Sequence, residues 1–354
     1  MYKQRLSNIE LLRILSIFFI LVVHADFLNF GEPTPSDMRE NTLVSVSKVF
    51  FETLGFVCVD VFIFISGWFG VHASFKKICK LIFQCFFLFL LLYILSLLFG
   101  WGAFSIKSFL ERLVESLAPG WFIKAYLVLY IFTPVLNKFV EYSSERQLRY
   151  ILITFYTVQS VYGWLFPNLV GGEATMFIHG YSTTSFAGLY LLARYWRLYF
   201  YGRQNNLSSF ITNKNMFTLW ILVVVMNTLL WCVTCFFNIG QIYSRILSYT
   251  SPFIIVQSVC MFMSFNTLEV KSKYINRIGA SSLAVFIVHD GWFGKRPFFD
   301  TLNYIDGKYS GWTCLLIIFS FLFFVFFLSI LMDQLRVLCW NSVSKYIPEG
   351  MLDT

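Results

Sequence analysis

Long apolar segments alternate with short polar connections along the whole chain, and this alternation predicts the fold. Each segment is close to the roughly 20 residues that a helix needs to cross the hydrocarbon core of a bilayer. We predict helices at about residues 8–29, 49–71, 78–100, 119–140, 150–166, 181–201, 216–238, 250–268, 281–300 and 311–333. The pattern therefore predicts an all-α integral membrane protein, a single bundle of about ten transmembrane helices.

Basic residues are distributed unequally between the connections of this bundle. Most of the Lys and Arg residues lie in the N-terminal segment, in every second connection after it and in the C-terminal segment. Since Lys and Arg are enriched in cytoplasmic loops, we predict that both termini are cytoplasmic. Residues 30–48 and 101–118 are then outer connections, and the second has the amphipathic pattern of a helix that lies at the membrane interface.

Composition supports a membrane protein and excludes a soluble one. Of the 354 residues, 58% are hydrophobic and 13% are charged, whereas soluble domains have about 25% charged residues. We therefore predict one transmembrane domain over residues 1–354. The net charge of +8 lies in short loops, as membrane topology requires, so it does not indicate nucleic-acid binding. The eight cysteines lie mostly in apolar segments and predict no disulfide framework.

The first predicted span, "NIELLRILSIFFILVVHAD", contains ionisable residues. Such groups inside a span usually face the bundle interior and mark a functional path. Arg13 and His24 are eleven residues apart, which places them on one helix face and about 16 Å apart along its axis. The alternatives are a membrane anchor for Arg13 and a hydrogen bond between helices for His24. Glu10 and Asp26 receive no role.

The second span, "FETLGFVCVDVFIFISGWFG", supplies acids. Because this span runs inward, Glu52 is predicted to lie nearly level with His24, and Asp60 one or two turns deeper. A carboxylate in that position orients an imidazole and stabilises its protonated form. The alternative for Glu52 is contact with lipid headgroups, for which Asp60 is too deep.

A basic cluster, Lys76, Lys77 and Lys80, follows the second span. Basic side chains at the inner end of a bundle can bind a phosphorylated ligand. The same residues are also expected as the positive flank of a span, so this pattern leaves both interpretations open.

A second buried histidine occurs in the ninth span, "SSLAVFIVHDGWF", where His289 stands beside Asp290. The pair repeats the combination of an imidazole with an acid that the first two spans provide. His72 and His179 fall in connections, and we interpret them as an interfacial and a surface residue. No set of residues indicates a metal site.

Together these segments resemble the membrane-bound acyltransferase-3 family, whose members O-acylate cell-surface carbohydrates. The segment "LLRILSIFFILVVHA" fits the family's Arg, ten residues, His pattern, and "VDVFIFISGWF" is similar to its Val-Asp-x-Phe-Phe-x-x-Ser-Gly stretch. Later family segments are similar to "GWFIKAYLVLYIFTPVLNKF" and "SSLAVFIVHD". The series covers essentially the whole chain. One departure is Lys77-Ile-Cys-Lys80, where the family often has Arg-x-x-Arg, because Lys lacks the bidentate fork of Arg.

The resemblance implies the substrates and the location. The donor is expected to be cytoplasmic acetyl-CoA, with its phosphates bound by Arg13, Lys77 and Lys80. The acceptor is expected to be a hydroxyl of an extracytoplasmic carbohydrate, such as O-antigen, capsule or exopolysaccharide. Trp121 and Tyr126 are candidates for packing against the sugar, and the alternative for both is an aromatic belt at the membrane interface. The protein is then a multi-pass protein of the bacterial plasma (inner) membrane.

The resemblance also implies catalytic roles. His24 is expected to remove the proton from the sugar hydroxyl or to carry the acyl group briefly. Asp60 or Glu52 orients His24, and His289 lines the site or shares proton transfer. The rival interpretation is a transporter or flippase for a glycan or lipid-linked precursor, in which the same groups relay protons. Transporters often contain inverted repeats, and this sequence shows none.

Overall fold

A computed structural model describes residues 5–102, 104–166, 177–201, 213–239 and 242–346, and these residues form helices without strands. Six helical segments are long and apolar enough to cross a membrane: Ser7–Phe30, Thr42–Phe69, Phe75–Leu98, Gly120–Tyr142, Asn215–Phe236 and Gly311–Tyr346. The prediction of an all-α multi-pass protein is confirmed. The count of ten spans and the cytoplasmic termini stay predictions.

Each of the ten predicted spans contains helix. In chain order the α-helices are α1 Ser7–Ala25, α2 Phe27–Phe30, α3 Pro35–Glu40, α4 Thr42–Phe56, α5 Cys58–Phe69, α6 Phe75–Leu98, α7 Ile106–Ser116, α8 Gly120–Tyr142, α9 Glu145–Val158, α10 Thr183–Tyr195, α11 Asn213–Phe236, α12 Ile242–Ile246, α13 Pro252–Asn266, α14 Lys273–Gly279, α15 Ser282–Asp290, α16 Trp292–Lys308 and α17 Gly311–Val343. Short π-helical turns follow α9 and α10.

The chain divides into two compact units. The first unit comprises Met1–Val71 and Val128–Ser272, and the second comprises His72–Leu127 and Lys273–Thr354. The prediction of one domain over residues 1–354 stays a prediction.

Local hydrogen bonds explain where two of the helices begin. At the start of α3, the hydroxyl of Thr34 accepts from the N–H of Asp37, and the Asp37 carboxylate accepts from Thr34. Ser144 and Gln147 form the same reciprocal pair at the start of α9. Such capping boxes satisfy backbone donors that a helix terminus leaves unpaired. The hydrogen bonds from Thr34 also hold the pKa of the Asp37 carboxyl below its usual value.

The second span is interrupted in its middle. It begins at Thr42 rather than at residue 49, and α4 ends before Val57, whose N–H bonds to the carbonyl of Gly55. The carbonyl of Thr53 therefore does not accept a hydrogen bond from the N–H of Val57, as it would in a continuous helix. The amide of Gln257 replaces that partner and donates to the Thr53 oxygen at 2.8 Å. The break is thus held by a side chain from α13.

Helices α1 and α4 of the first unit approach each other closely at a glycine. A Cβ added at Gly55 would lie 2.6 Å from Val23 Cγ2 and 2.9 Å from the carbonyl oxygen of Phe19. Only a residue without a side chain fits this contact. The contact sets the register of α4 against the C-terminal half of α1.

In the second unit, the predicted ninth span is two helices rather than one. The chain breaks at Gly291, between α15 and α16. A Cβ added at Gly291 would overlap the carbonyl oxygen of Ile287, and one added at Gly294 would overlap that of Val288. The two glycines allow the backbone to fold back tightly on the end of α15, which an uninterrupted helix does not permit.

The last helix extends ten residues beyond the predicted end at residue 333, and this changes the interpretation of Arg336. Arg336 is one of the basic residues of the C-terminal segment that were predicted to flank the last span, but it is 2% exposed. It donates to both oxygens of Asp333, at 2.9 and 2.6 Å. Gln84 of α6 donates to Asp333 at 2.8 Å. Arg336 is therefore part of a buried ion pair.

We expect Gly294→Ala to destabilise the protein by about 1–3 kcal/mol, because the added methyl group overpacks a tight turn. Gly307→Ala is a matched control in the same helix, since no atom lies within 4 Å of a Cβ added there. It is expected to be neutral or slightly stabilising, because Ala favours helix more than Gly does. Thermal unfolding in detergent measures the stability of both purified variants. Equal unfolding temperatures of the Gly294→Ala and Gly307→Ala proteins would contradict the tight turn.

Candidate active site

The candidate site lies in the first unit, where the last turn of α1 packs against α4. His24 is half-buried in this turn. Glu52 is 2% exposed and accepts a hydrogen bond from the backbone N–H of Phe27. One turn further along α4, Gly55 lies against Val23. Glu52 is therefore alongside the segment that carries His24.

Further charged groups surround Glu52. Asp26 and Glu32 both interact electrostatically with Glu52, and Lys48 interacts with Asp26. Glu32 lies outside the spans, and partial removal from water raises the pKa of its carboxyl. This end of α1 therefore gathers several ionisable side chains, the type of group that accepts and returns protons in catalysis.

Asp60 lies in the first turn of α5, directly after the break in the second span, and is fully buried. Among the described residues, neither of its carboxylate oxygens has a hydrogen-bond partner. Tyr156 and Tyr249 interact with it electrostatically. Buried polar groups without partners are rare in folded proteins and cost stability. An acid kept in such a position favours a chemical role over a packing role.

Arg13 belongs to an ionic cluster near the start of α1. Glu10 is buried and accepts hydrogen bonds from Arg5 at 2.8 Å and from Arg13 at 3.4 Å. The structure thereby gives Glu10 a role that the sequence did not, as the counterion of two arginines. Two arginines around one carboxylate leave a net positive charge, so this end of α1 still attracts an anion.

The second unit holds the remaining predicted catalytic and sugar-binding residues. His289 is 1% exposed, and its Nδ1 lies 2.6 Å from the carbonyl oxygen of Val285, which accepts a hydrogen bond from it. Trp121 and Tyr126 are half-buried on the first turns of α8, and both pack against Phe122. The roles of these three residues stay predictions.

The predicted donor-binding lysines also belong to the second unit, on the first turns of α6. Lys77 and Lys80 are exposed. Lys77 Nζ donates to the carbonyl oxygen of His72 at 3.1 Å. Both ammonium groups are accessible to an anionic ligand, and their role stays a prediction.

Several residues around the site were missed by the sequence analysis. Tyr156, Tyr181 and Tyr249 lie near the two acids of the second span. The chain has 19 tyrosines, so a tyrosine inside a span gave no signal. Gln257 could have been found from the sequence, because side-chain amides inside spans are unusual and often join helices. Asn227 extends this network, since it donates to Gln257 at 2.7 Å.

The arrangement supplies an imidazole, acids beside the helical turn that carries it, and a further buried acid, Asp60, whose carboxylate has no hydrogen-bond partner in the part of the chain that the structure describes. These groups can accept a proton, hold it and return it, which is what acyl transfer to a hydroxyl requires. Within the described ranges, no group of three His, Cys, Asp or Glu residues is placed to hold a metal ion.

Comparison with known proteins identifies the class. Residues 6–333 match the acyltransferase-domain family Acyl_transf_3, which is nearly the whole chain. The chain therefore belongs to this family, and the resemblance inferred from its motifs is confirmed. No curated protein and no solved structure matches it. The helices and the family together define a multi-pass membrane acyltransferase.

We expect Asp60→Asn to unfold at the same temperature as the wild type or at a higher one. No described residue donates to its carboxylate, so the substitution removes no native hydrogen bond, and a neutral amide is cheaper to bury than a charge. Thermal unfolding in detergent measures this.

Asp333→Asn is the matched control, because Asp333 is equally buried but accepts three hydrogen bonds. This substitution is expected to lower the free energy of unfolding by about 3–5 kcal/mol, since it leaves Arg336 buried without a counterion. An Asp60→Asn protein as unstable as the control would show that Asp60 is a structural residue.

Proposed function

We propose that the protein is an O-acetyltransferase of the bacterial plasma (inner) membrane. It moves an acetyl group from cytoplasmic acetyl-CoA to a hydroxyl of an extracytoplasmic polysaccharide, such as O-antigen, capsule or exopolysaccharide. The observation that carries the proposal is the position of the buried Glu52 beside the last turn of α1, the turn that contains His24, in a chain of an acyltransferase family.

His24 acts as the general base of the proposed reaction. It accepts the proton of the acceptor hydroxyl while the hydroxyl oxygen attacks the thioester carbonyl carbon of the donor. The new C–O bond forms, the C–S bond breaks, and the departing CoA thiolate takes the proton back from His24. Alternatively, His24 first takes the acetyl group on a ring nitrogen and passes it to the hydroxyl.

Carboxyl groups orient His24 in the proposed reaction. Glu52 lies beside the turn of α1 that carries the imidazole, so it holds the ring in position during the transfer. Asp60 takes the second acidic role, as a positioning residue deeper in the first unit. It has no hydrogen-bond partner among the described residues, so its carboxyl is available to a polar group of the reaction.

Arg13 takes the donor-binding role in the first unit. Helix α1 runs without interruption between Arg13 and His24, so the two groups are about 16 Å apart along its axis. The CoA phosphates are polyanionic, and the arginines around Glu10 supply positive charge for them. Lys77 and Lys80 are proposed for the same ligand because they are exposed cations in a predicted cytoplasmic connection.

A transporter of glycans or lipid-linked precursors would also use buried ionisable groups. Membership of an acyltransferase family favours group transfer over transport. The two functions differ in their product, since only a transferase leaves a covalent acetyl ester on the glycan.

We expect His24→Ala to reduce the acetyl content of the surface polysaccharide at least about 100-fold, because a general base contributes roughly 10²–10⁴ to the rate. The measurement is mass spectrometry of the glycan from cells that produce the variant. His179→Ala is the control, since this histidine is exposed in a predicted outer connection, and it is expected to retain acetylation. Wild-type acetylation by a stable, membrane-inserted His24→Ala protein would remove His24 from the mechanism.

We expect Arg13→Ala to raise the KM for acetyl-CoA about tenfold or more, because a hydrogen bond to a charged group contributes about 1.5–3 kcal/mol. Maximal turnover should change less than KM does. Arg146→Ala provides the control, since Arg146 is an exposed arginine of another predicted cytoplasmic connection. Donor titration in membranes measures both proteins, and an unchanged KM for Arg13→Ala would favour a membrane-anchoring role.

A further inference from the structure

The second unit contains a large cavity that the proposed mechanism does not use. Its volume is about 1280 Å³, compared with roughly 300–1,000 Å³ for sites that hold a drug-sized molecule. Helices α6, α7, α15 and α16 and the first residues of α8 line it. Helix α7 lies within residues 101–118, the predicted outer connection, so the cavity belongs to the part of the chain that meets external ligands.

A tryptophan held by an arginine forms one wall of this cavity. The guanidinium carbon of Arg112 lies 3.3 Å from the centroid of the Trp292 ring. This stacking fixes the indole, and 57% of Trp292 is exposed. Trp101 and Tyr304 add exposed aromatic rings to the lining. Rigid, exposed aromatic rings inside a cavity are surfaces on which the C–H face of a pyranose packs.

Three ion pairs contribute most of the charged groups of the lining, and Lys124 adds one more cation. They join Lys295 to Asp290 at 2.8 Å, Arg296 to Asp300 at 3.4 Å and Arg112 to Glu115 at 2.7 Å. A carboxylate can accept about four hydrogen bonds, and an arginine can donate five. Each pair therefore keeps donors and acceptors for a ligand while its charges largely offset each other.

This combination selects a class of ligand. The ion-paired charges largely cancel and leave one excess cation, Lys124, in the lining, so the cavity favours neither a polyanion nor a polycation. Its many donors and acceptors favour a ligand with many hydroxyl groups. Aromatic walls add an apolar face to the same ligand. A saccharide has all of these properties.

We propose that this cavity is a saccharide-binding site that holds part of the acceptor polysaccharide, with Trp292 as its principal platform. The inference rests on the proposed function, because it names where a segment of the acceptor binds. The break at Gly291 explains how the site forms, since it ends α15 at Asp290 and begins α16 at Trp292. The tight turn thereby brings an acid and the platform to the same cavity.

The test is saccharide binding by the full-length protein in detergent. The probe is a set of oligosaccharides released by mild acid from the surface polysaccharide of host cells that lack this protein. Titration calorimetry is expected to show that Trp292→Ala weakens binding about tenfold, whereas Trp292→Phe keeps most of the affinity. Trp312→Ala is the matched control, because Trp312 is 82% exposed in the same unit and does not line the cavity, and it should bind as the wild type does.

Three results would overturn the proposal: no binding of the probe by the wild type, equal affinity of the Trp292→Ala and Trp312→Ala proteins, or displacement of the probe by a short-chain phospholipid. If Trp292→Ala does not fold, Trp101→Ala tests a second aromatic wall of the same cavity with the same expected weakening.

Acetyl transfer measured on the same preparations separates the two proposals. Transfer by the wild type together with unchanged binding by Trp292→Ala rejects the cavity and keeps the acetyltransferase. Binding that depends on Trp292, together with an absence of acetyl transfer by the wild type, keeps the saccharide site and rejects the proposed reaction.

Discussion

A helix that breaks inside a membrane releases backbone polar groups that lipid cannot satisfy, so the protein itself must supply their hydrogen bonds. The first unit meets this constraint at Val57, where the freed carbonyl of Thr53 accepts from Gln257, and Gln257 in turn accepts from Asn227. The break separates the helix that carries Glu52 from the one that begins just before Asp60. The positions of both acids therefore depend on amides from two other helices. A continuous helix would satisfy the Thr53 carbonyl itself, so it would need neither amide.

The same constraint separates two kinds of buried acid in this protein. Asp333 accepts hydrogen bonds from the guanidinium group of Arg336 and from the side-chain amide of Gln84. Its charge is therefore compensated inside the second unit. Asp60 is as deeply buried but has no hydrogen-bond partner among the described residues. Natural proteins usually keep such uncompensated groups where activity depends on them. The contrast separates a structural acid from a candidate functional one without reference to any relative.

The residues of the candidate site could be selected from the sequence, and their roles stay predictions, but the contacts between them could not be predicted. The spacing of Arg13 and His24 along one continuous helix follows from helical geometry, and α1 has that continuity. The pairing of Glu10 with two arginines could be seen only in the structure. Arg5 precedes the apolar run, so the sequence indicated an ordinary flanking residue. In the same way, Arg336 looked like a flank until α17 proved to extend past it.

The sequence by itself determined the membrane class, the approximate positions of the six long apolar helices and the ionisable residues inside them. These properties are local, since they depend on runs of apolar residues and on a fixed rise per residue. Only the tertiary structure decided that Glu52 lies beside the end of α1, that Asp60 has no described partner and that glycines fold α16 back on α15. Those facts depend on contacts between residues far apart in the chain, which periodicity does not encode.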